Sequence, residues 1–504
     1  MANIMSLKDV RNKVHRNGFD LTYKNRFTAK VGEILPVFVK ECLPGDKFKI
    51  KPSWFSRTQP LNTAAYATIR EYIDFYFVPY HLLWSYFPDW ITQMNDPQFA
   101  QTSSTGYNLN GSSPYISSQT IYRRLIYGWN QAEKRWKTVE DGYGGNGPNI
   151  WGFNRAALSA KLLNMLGYGD FIDYEGNNGV NVGVDIRLSP WRLLAYQKIC
   201  QDFYRPQMWE SSQPWRFNVN YCSVGQEIGV NQSVPNYLDA LDLNYALYKK
   251  DYFTGLMPSP QYGDVSVAPL NNDGTVVDLI NQGTFDTRED ANNSVQMNFS
   301  GDAQGQPVGI SVLALRQAEA LQKWREVSLS ANNKSYREQM KRHFETSVRG
   351  VSDHTCTYIG GTAGAIKITD IDTTNLADGG IASIAGKGIG GGSGFEKFEC
   401  HEHGIIIGLY HAVPDIDYFD TMLDKHNTKI QAGDFAIPEF DQIGMQTTQS
   451  YELFNAYKSS FNPSRVLGYA PRYAEYKTSY DVVHGAFRDT LRNYIVPKNI
   501  PTLY

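Results

Sequence analysis

Five cysteines in 504 residues, at 42, 200, 222, 356 and 400, include no CxxC pair. That argues against a thiol redox motif, a four-cysteine zinc site and an even disulfide framework. Buried reduced thiols are the expected state. No apolar run approaches the ~20 residues needed to cross a bilayer. The longest is GIIIGLY, Gly404 to Tyr410, which is strand length. The first twenty residues, MANIMSLKDVRNKVHRNGFD, lack the apolar core of a secretory signal. GxSxG and HExxH are both missing. Gly386-Lys387 fails as a phosphate loop, because Gly380 is one residue too far away and Gly388 replaces the hydroxyl after Lys. Charged residues, at 20%, are slightly scarce. The expectation is a chain made and used in a cytosol, without membrane insertion, metal or cofactor.

What the chain does have is glycine (43), proline (23) and above all tyrosine (33), the profile of a loop-rich β protein. Ile69 to Trp90 is its densest stretch. Ile69, Ile73, Phe75 and Phe77 fall on one side of a period-two pattern, with Arg70, Tyr72 and Asp74 on the other. Pro79 removes a backbone donor and ends the ladder. Tyr80, Trp84, Tyr86, Phe87 and Trp90 follow within eleven residues. Aromatic area so concentrated at a strand end suits a surface buried against copies of the same chain, so these five are the candidate subunit-interface residues.

Along the chain, 1–34 reads as a basic arm and 35–58 and 69–79 as strands. Residues 96–188 and 265–309 are rich in Gly and Asn and read as long insertions. The first includes GYGGNGPN at 142–149 and one short helix, Ala156 to Leu166, ended by Gly167. Ser189-Pro190 supplies an N-cap and first-turn proline for a helix carrying Trp191, Leu194 and Phe203. From Val312 to Leu329, Arg316, Glu319, Lys323 and Glu326 form a polar stripe, with Val312, Leu315, Ala318, Leu321 and Trp324 on the other side. Ser335 and Glu338 make a capping box for a helix toward Phe344. Strand patterning returns over 355–412, and the glycine tract 379–394 reads as a flexible loop within it. The 35–504 segment is thus expected to be one mainly β domain, an eight-stranded jelly-roll barrel with long loop insertions and a few short helices.

Charge is uneven. Residues 1–57 hold twelve Lys or Arg against five Asp or Glu (+7), and the remainder 36 against 46 (−10). Lys8, Arg11, Lys13, Arg16, Lys24 and Arg26 are interleaved with His15, Phe19 and Tyr23. Cations neutralise phosphates and rings stack on unpaired bases, so these six cations are candidate nucleic-acid contacts; an arm tying neighbouring subunits together is the equal alternative. His401-Glu402-His403 places two imidazoles on one face of a strand, but a polar strand entry is the ordinary reading. Asp415, Asp417 and Asp420 beside Tyr418 leave a second class open, a glycan-binding or glycan-cleaving β protein.

Asp74-Phe75-Tyr76-Phe77-Val78-Pro79-Tyr80 with Trp84 resembles the major capsid proteins of the Microviridae, small icosahedral phages with circular single-stranded DNA. The resemblance continues in order. It runs through Leu35-Pro36-Val37-Phe38 and Leu43-Pro44-Gly45-Asp46, then Tyr196-Gln197-Lys198-Ile199 with Tyr204-Arg205. Asp251-Tyr252-Phe253-Thr254 and Pro258-Ser259-Pro260-Gln261 follow, then Glu402-His403-Gly404, Pro438-Glu439-Phe440 and Arg472-Tyr473-Ala474-Glu475-Tyr476-Lys477. Residues 96–188 and 265–309 match no such pattern, and the likeness is to the gokushovirus branch. It implies a jelly-roll coat subunit without catalytic residues, sixty copies of which close a T=1 shell around the genome. It also implies a small basic DNA-binding protein, a DNA pilot protein and a scaffolding protein as partners, and a host surface receptor met by exposed loops. The expected location is the virion, assembled in the cytoplasm of a bacterial host.

Overall fold

Alternation along Thr68–Pro79 is strict enough to build a sheet around it. The computed structural model describes residues 16–59, 66–92, 112–126, 128–130, 133, 135–136, 150–173, 179–180, 185–222, 225–228, 240–261, 312–330, 336–345, 354–372, 384–418, 423–441, 443–454 and 464–496. Strands of four or more residues are β1 (Leu35–Cys42), β2 (Lys47–Ile50), β3 (Ser53–Arg57), β4 (Thr68–Pro79), β5 (Thr357–Asp372), β6 (Ile384–Ser393), β7 (Glu396–Glu399), β8 (Gly404–Pro414), β9 (Met445–Gln449) and β10 (Val466–Pro471). Helices are α1 (Phe87–Thr92), α2 (Ser118–Ile126), α3 (Ile150–Met165), α4 (Trp191–Ile199), α5 (Val312–Ser330) and α6 (Tyr336–Phe344).

Six strands form one antiparallel sheet in the order β1-β8-β4-β5-β6-β3. The β2 and β7 strands pair as a separate ribbon, and β9 pairs with β10. The described residues thus give a mainly β fold built on one large antiparallel sheet. They do not show the eight-stranded barrel as a closed object, since β2 and β7 leave the main ladder.

The central strands are covered on both faces, which is why all of β8 is buried. Tyr76 and Val78 of β4 and Ile405, Ile407 and Leu409 of β8 face a core shared with Trp84, Leu162, Leu163, Trp191 and Leu194. Ile73, Phe75 and Phe77 of β4 and Ile406 and Tyr410 of β8 face a second core, closed by Phe48 and Phe398 of the ribbon and by Trp54. Each fully buried Leu or Ile contributes ~1.5–3 kcal/mol. A third cluster, Tyr252, Phe253, Leu256, Tyr418, Leu453 and Ala470, anchors the C-terminal region.

Five expectations change. The 35–58 stretch breaks into three strands: Gly45 takes a positive φ of 85° in a turn after β1, and the ladder breaks again at Lys51-Pro52. Residues 384–393 of the glycine tract form β6, paired on both edges. Glycine is needed there for close approach: a methyl on Gly392 would run into the Trp54 indole. The helix expected from Ala156 begins at Ile150, and Pro190 occupies the cap position of α4, with no side-chain cap from Ser189. Phe203 lies beyond α4, in a π-helical turn at Cys200–Tyr204.

The described part of 96–188 is not merely surface loop. Ile121 and Leu125 of α2 and Leu162 and Leu163 of α3 are fully buried in the first core. Arg155 and Lys161 of α3 pair with Asp242 and Glu33. Segment 265–309 lies outside the described residues. The α5 helix forms as its periodicity predicts, yet Leu315, Leu321 and Trp324 remain exposed. Its described partners include α6, through Gln339 donating to the Ser328 carbonyl and His343 bonding the Ser328 hydroxyl, and Gln261, which accepts from Gln322.

Candidate nucleic-acid interface and subunit contacts

The aromatic run turns inward. Pro79 ends β4, a 3-10 turn at Tyr80–Leu82 follows, and α1 begins at Phe87. This folds Tyr80, Trp84 and Phe87 back onto Trp191 of α4, with ring centroids 5.5, 6.0 and 5.9 Å away. Trp84 is 0% exposed, so its indole belongs to the subunit's own core and has no surface left for a neighbour. Tyr80 and Phe87 are buried as well. Tyr86 and Trp90 are half-buried at the rim of the same cluster. Of the five interface candidates, only these two retain area to offer.

Lys8, Arg11 and Lys13 of the basic arm lie outside the described residues. Arg16 is already committed: it pairs with Asp46 at 2.8 Å and donates to the Pro44 carbonyl at 2.6 Å. Lys24 and Arg26 are exposed. The arm follows β1 on the face carrying Phe38 and Tyr410. Tyr23 donates to the Val37 carbonyl and stacks on Phe38, Asn25 donates to the same carbonyl, and Phe27 meets the Tyr410 ring edge-on at 5.2 Å. At its foot, the Gly32 amide donates to the Ala412 carbonyl and the Tyr196 hydroxyl to the Ile34 carbonyl. The foot is pinned, while Phe19 further out is 79% exposed.

The other chemical candidates have structural occupations. Glu402 accepts from His81 at 2.7 Å, and His403 lies against Phe87. Asp415 pairs with Arg70, and Asp417 accepts from the Val496 amide, with burial pushing its carboxyl above the usual range. Asp420 lies outside the described residues. The neighbouring carboxylates Asp481 and Asp415 raise Asp417 further.

Several buried polar groups escaped the sequence reading. Glu71 is fully buried and accepts from Trp54 Nε1, the Ser56 hydroxyl and the Tyr410 hydroxyl. Its three donors come from β3 and β8, so no local spacing announces them. Lys198 and Asp202 form a buried i,i+4 pair, with Asp202 also accepting from the Cys356 amide. Lys429 pairs with Glu475 at 2.8 Å and lies over the Tyr476 ring, which accounts for two residues of the Arg472-to-Lys477 run. His411 is buried between Tyr72 and Tyr204, and burial pushes its pKa down to about 4.

The family model described as "Capsid protein (F protein)" matches residues 9–115 and 165–496. Two curated relatives align over 97% of the chain. The capsid protein VP1 of Chlamydia phage 1 is 22% identical, with 88% of its own length covered. The capsid protein VP1 of Bdellovibrio phage phiMH2K is 24% identical, with 84% covered. The gap in the family match, 116–164, holds α2 and nearly all of α3.

Proposed function

The chain belongs to the capsid-protein (F protein) family of the Microviridae, gokushovirus-like in its relatives, and on that premise we propose that it is the coat subunit of a T=1 shell enclosing single-stranded DNA. The observation that carries this reading is the span of the family match, which covers both edges of the large sheet. The work of such a subunit is self-association. A closed icosahedral shell needs heterologous contacts about its fivefold and threefold axes and isologous ones across the twofold.

Two features support assembly. Leu315, Leu321 and Trp324 form an apolar side of α5 that stays exposed among the described residues, as do Phe19 and Leu21 on the arm. A neighbouring copy would bury both. Tyr86 and Trp90 are the remaining interface candidates of the aromatic run. We also propose that β1 to β8 are the eight strands of a jelly roll, with the β2–β7 ribbon closing the barrel over Phe75 and Phe77. Pairing of the first strand with the last, β1 with β8, favours that topology.

Lys24 and Arg26, with the arm's earlier cations, are proposed to face the genome. A net +7 on 1–57 against −10 elsewhere leaves packed DNA undercompensated. A small basic DNA-binding protein is therefore proposed as a partner, with a pilot protein, a scaffolding protein and a host receptor as the family's other expected associates. Segment 265–309 is proposed to be an exposed attachment loop. Assembly is proposed to occur in the host cytoplasm.

Sedimentation of purified protein tests the assembly reading. Sixty subunits of 57.0 kDa give a particle of about 3.4 MDa. A species of that size supports the proposal, and a chain that stays monomeric when co-expressed with the phage's other structural proteins refutes it.

A further inference from the structure

A second cationic-aromatic surface is built from residues other than the six arm cations. Exposure alternates without a break along residues 47–57: the odd positions face solvent and the even ones face the second core. One register thus puts Lys47, Lys49, Lys51, Phe55 and Arg57 outside and Phe48, Ile50 and Trp54 inside. The partner segment repeats the pattern, with Phe395 and Lys397 outside and Phe398 inside.

The pairing within this surface is unusual. Lys49 stands directly opposite Lys397 in the β2–β7 ribbon, a like-charge cross-strand pair that is destabilising in isolation. Lys47 is neutralised by Glu399 at 3.1 Å. Among the described residues, no carboxylate comes within ion-pair distance of Lys49, Lys51, Lys397 or Arg57. Phe395, 47% exposed, has the Lys51 and Lys397 ammonium groups 5.5 and 5.2 Å from its ring centroid. Phe55, 67% exposed, has the Arg57 guanidinium at 5.5 Å. The Gly394 amide donates to the Pro52 carbonyl, which holds the Phe395 end beside the start of β3.

We propose that this face of the ribbon and of β3 is a contact site for single-stranded DNA, with Lys49, Lys51, Lys397 and Arg57 on phosphates and Phe55 and Phe395 stacking on bases. The proposal rests on the reading of the chain as the coat of a single-stranded DNA phage. Unneutralised cations call for an anion, and exposed rings beside them call for a planar partner. Unpaired nucleotides supply both, and a run of cations with no carboxylate partner suits a polyanion better than a neighbouring copy of a slightly acidic subunit. The six residue steps from Lys51 to Arg57 span ~20 Å of extended chain, room for more than one nucleotide. Arg16 cannot share this role while it holds Asp46, which shifts the free cations of the first 57 residues toward the ribbon.

The test uses full-length coat protein, a fluorescein-labelled oligodeoxythymidylate and DNA-filled particles. Lys49→Gln/Lys51→Gln/Lys397→Gln should weaken oligonucleotide binding about tenfold and flatten the log–log salt slope by about 2. Phe55→Leu/Phe395→Leu should weaken binding several-fold with an unchanged slope. Ultraviolet crosslinking of filled particles should mark the peptides containing Phe55 or Phe395. All substituted positions are exposed, and thermal unfolding checks that each variant folds like the parent. Unchanged affinity and slope in both variants, or crosslinks confined to other peptides, would overturn the proposal. So would protection of this face in empty shells, which would mark it as a subunit contact. If the parent forms no shells, the coat reading fails instead; if it forms filled shells that the variants leave unaltered, only this site does.

Discussion

Lys161 of α3 reaches across to Glu33 at the foot of the N-terminal arm, and Glu33 is 1% exposed. The two residues have different standing in the family. Glu33 lies within the matched region, and Lys161 lies in the 116–164 gap. A segment without a counterpart in the family model is thus wired into the base of the arm. Lys161→Met should cost about 3 kcal/mol, because it strands a buried carboxylate. Lys161→Met with Glu33→Gln should recover part of that loss. Urea unfolding of the soluble subunit measures both, and additive losses would show that the contact carries no coupling energy.

Acid should loosen the sheet through His411. Its pKa is pushed down to about 4 by burial, against about 6.5 when unfolded. The folded state therefore excludes a proton that the unfolded state accepts. Stability is full above pH 6.5 and falls by up to ~3 kcal/mol as pH drops from 6.5 to 4. Asp74, bonded to Tyr204 of this cluster and to Tyr358, has its carboxyl raised by burial and works in the opposite sense at lower pH, near the carboxylate range. His411→Gln should flatten the decline between pH 6.5 and 5. A melting temperature with the same pH dependence in parent and variant would contradict this.

Trp84 and its neighbours should separate folding from assembly. Trp84→Ala should cost ~3–5 kcal/mol in the isolated subunit, as expected for emptying a large core site. Trp84→Phe should cost much less, since the indole N–H meets no acceptor among the described residues. Tyr86→Ala and Trp90→Ala should lower particle yield more than subunit melting temperature. Thermal unfolding and particle counts on the same preparations decide between these outcomes.

Gly392→Ala should displace Trp54 and disturb its 3.2 Å bond to the buried Glu71. Overpacking of this kind costs ~1–3 kcal/mol. Trp54→Leu should remove most of the added penalty of the glycine change, which a double-mutant cycle would reveal as coupling.

Legibility followed the range of the interactions. Period-two alternation in Thr68–Pro79 and the apolar run at 404–410 announce central strands, because strand geometry is local. The aromatic run was visible as a cluster, but its direction was not: whether Trp84 faces a neighbour or its own chain depends on Trp191, over a hundred residues away. The glycine tract reads as a loop by composition and becomes β6 because Trp54 needs the room. Glu71 gives no local sign, since its donors converge from β3 and β8. The ribbon cations could have been found from the alternation of lysines at 47, 49 and 51, had Lys397 been known to lie opposite.

Electron cryomicroscopy of particles purified from infected or co-expressing cells tests the central claim most directly. A coat subunit of this family should appear as sixty copies in a closed T=1 shell, with the arm that begins before Arg16 on the inner surface and DNA density against it. An open or non-icosahedral assembly, or a shell with the arm on its outer surface, would contradict that claim.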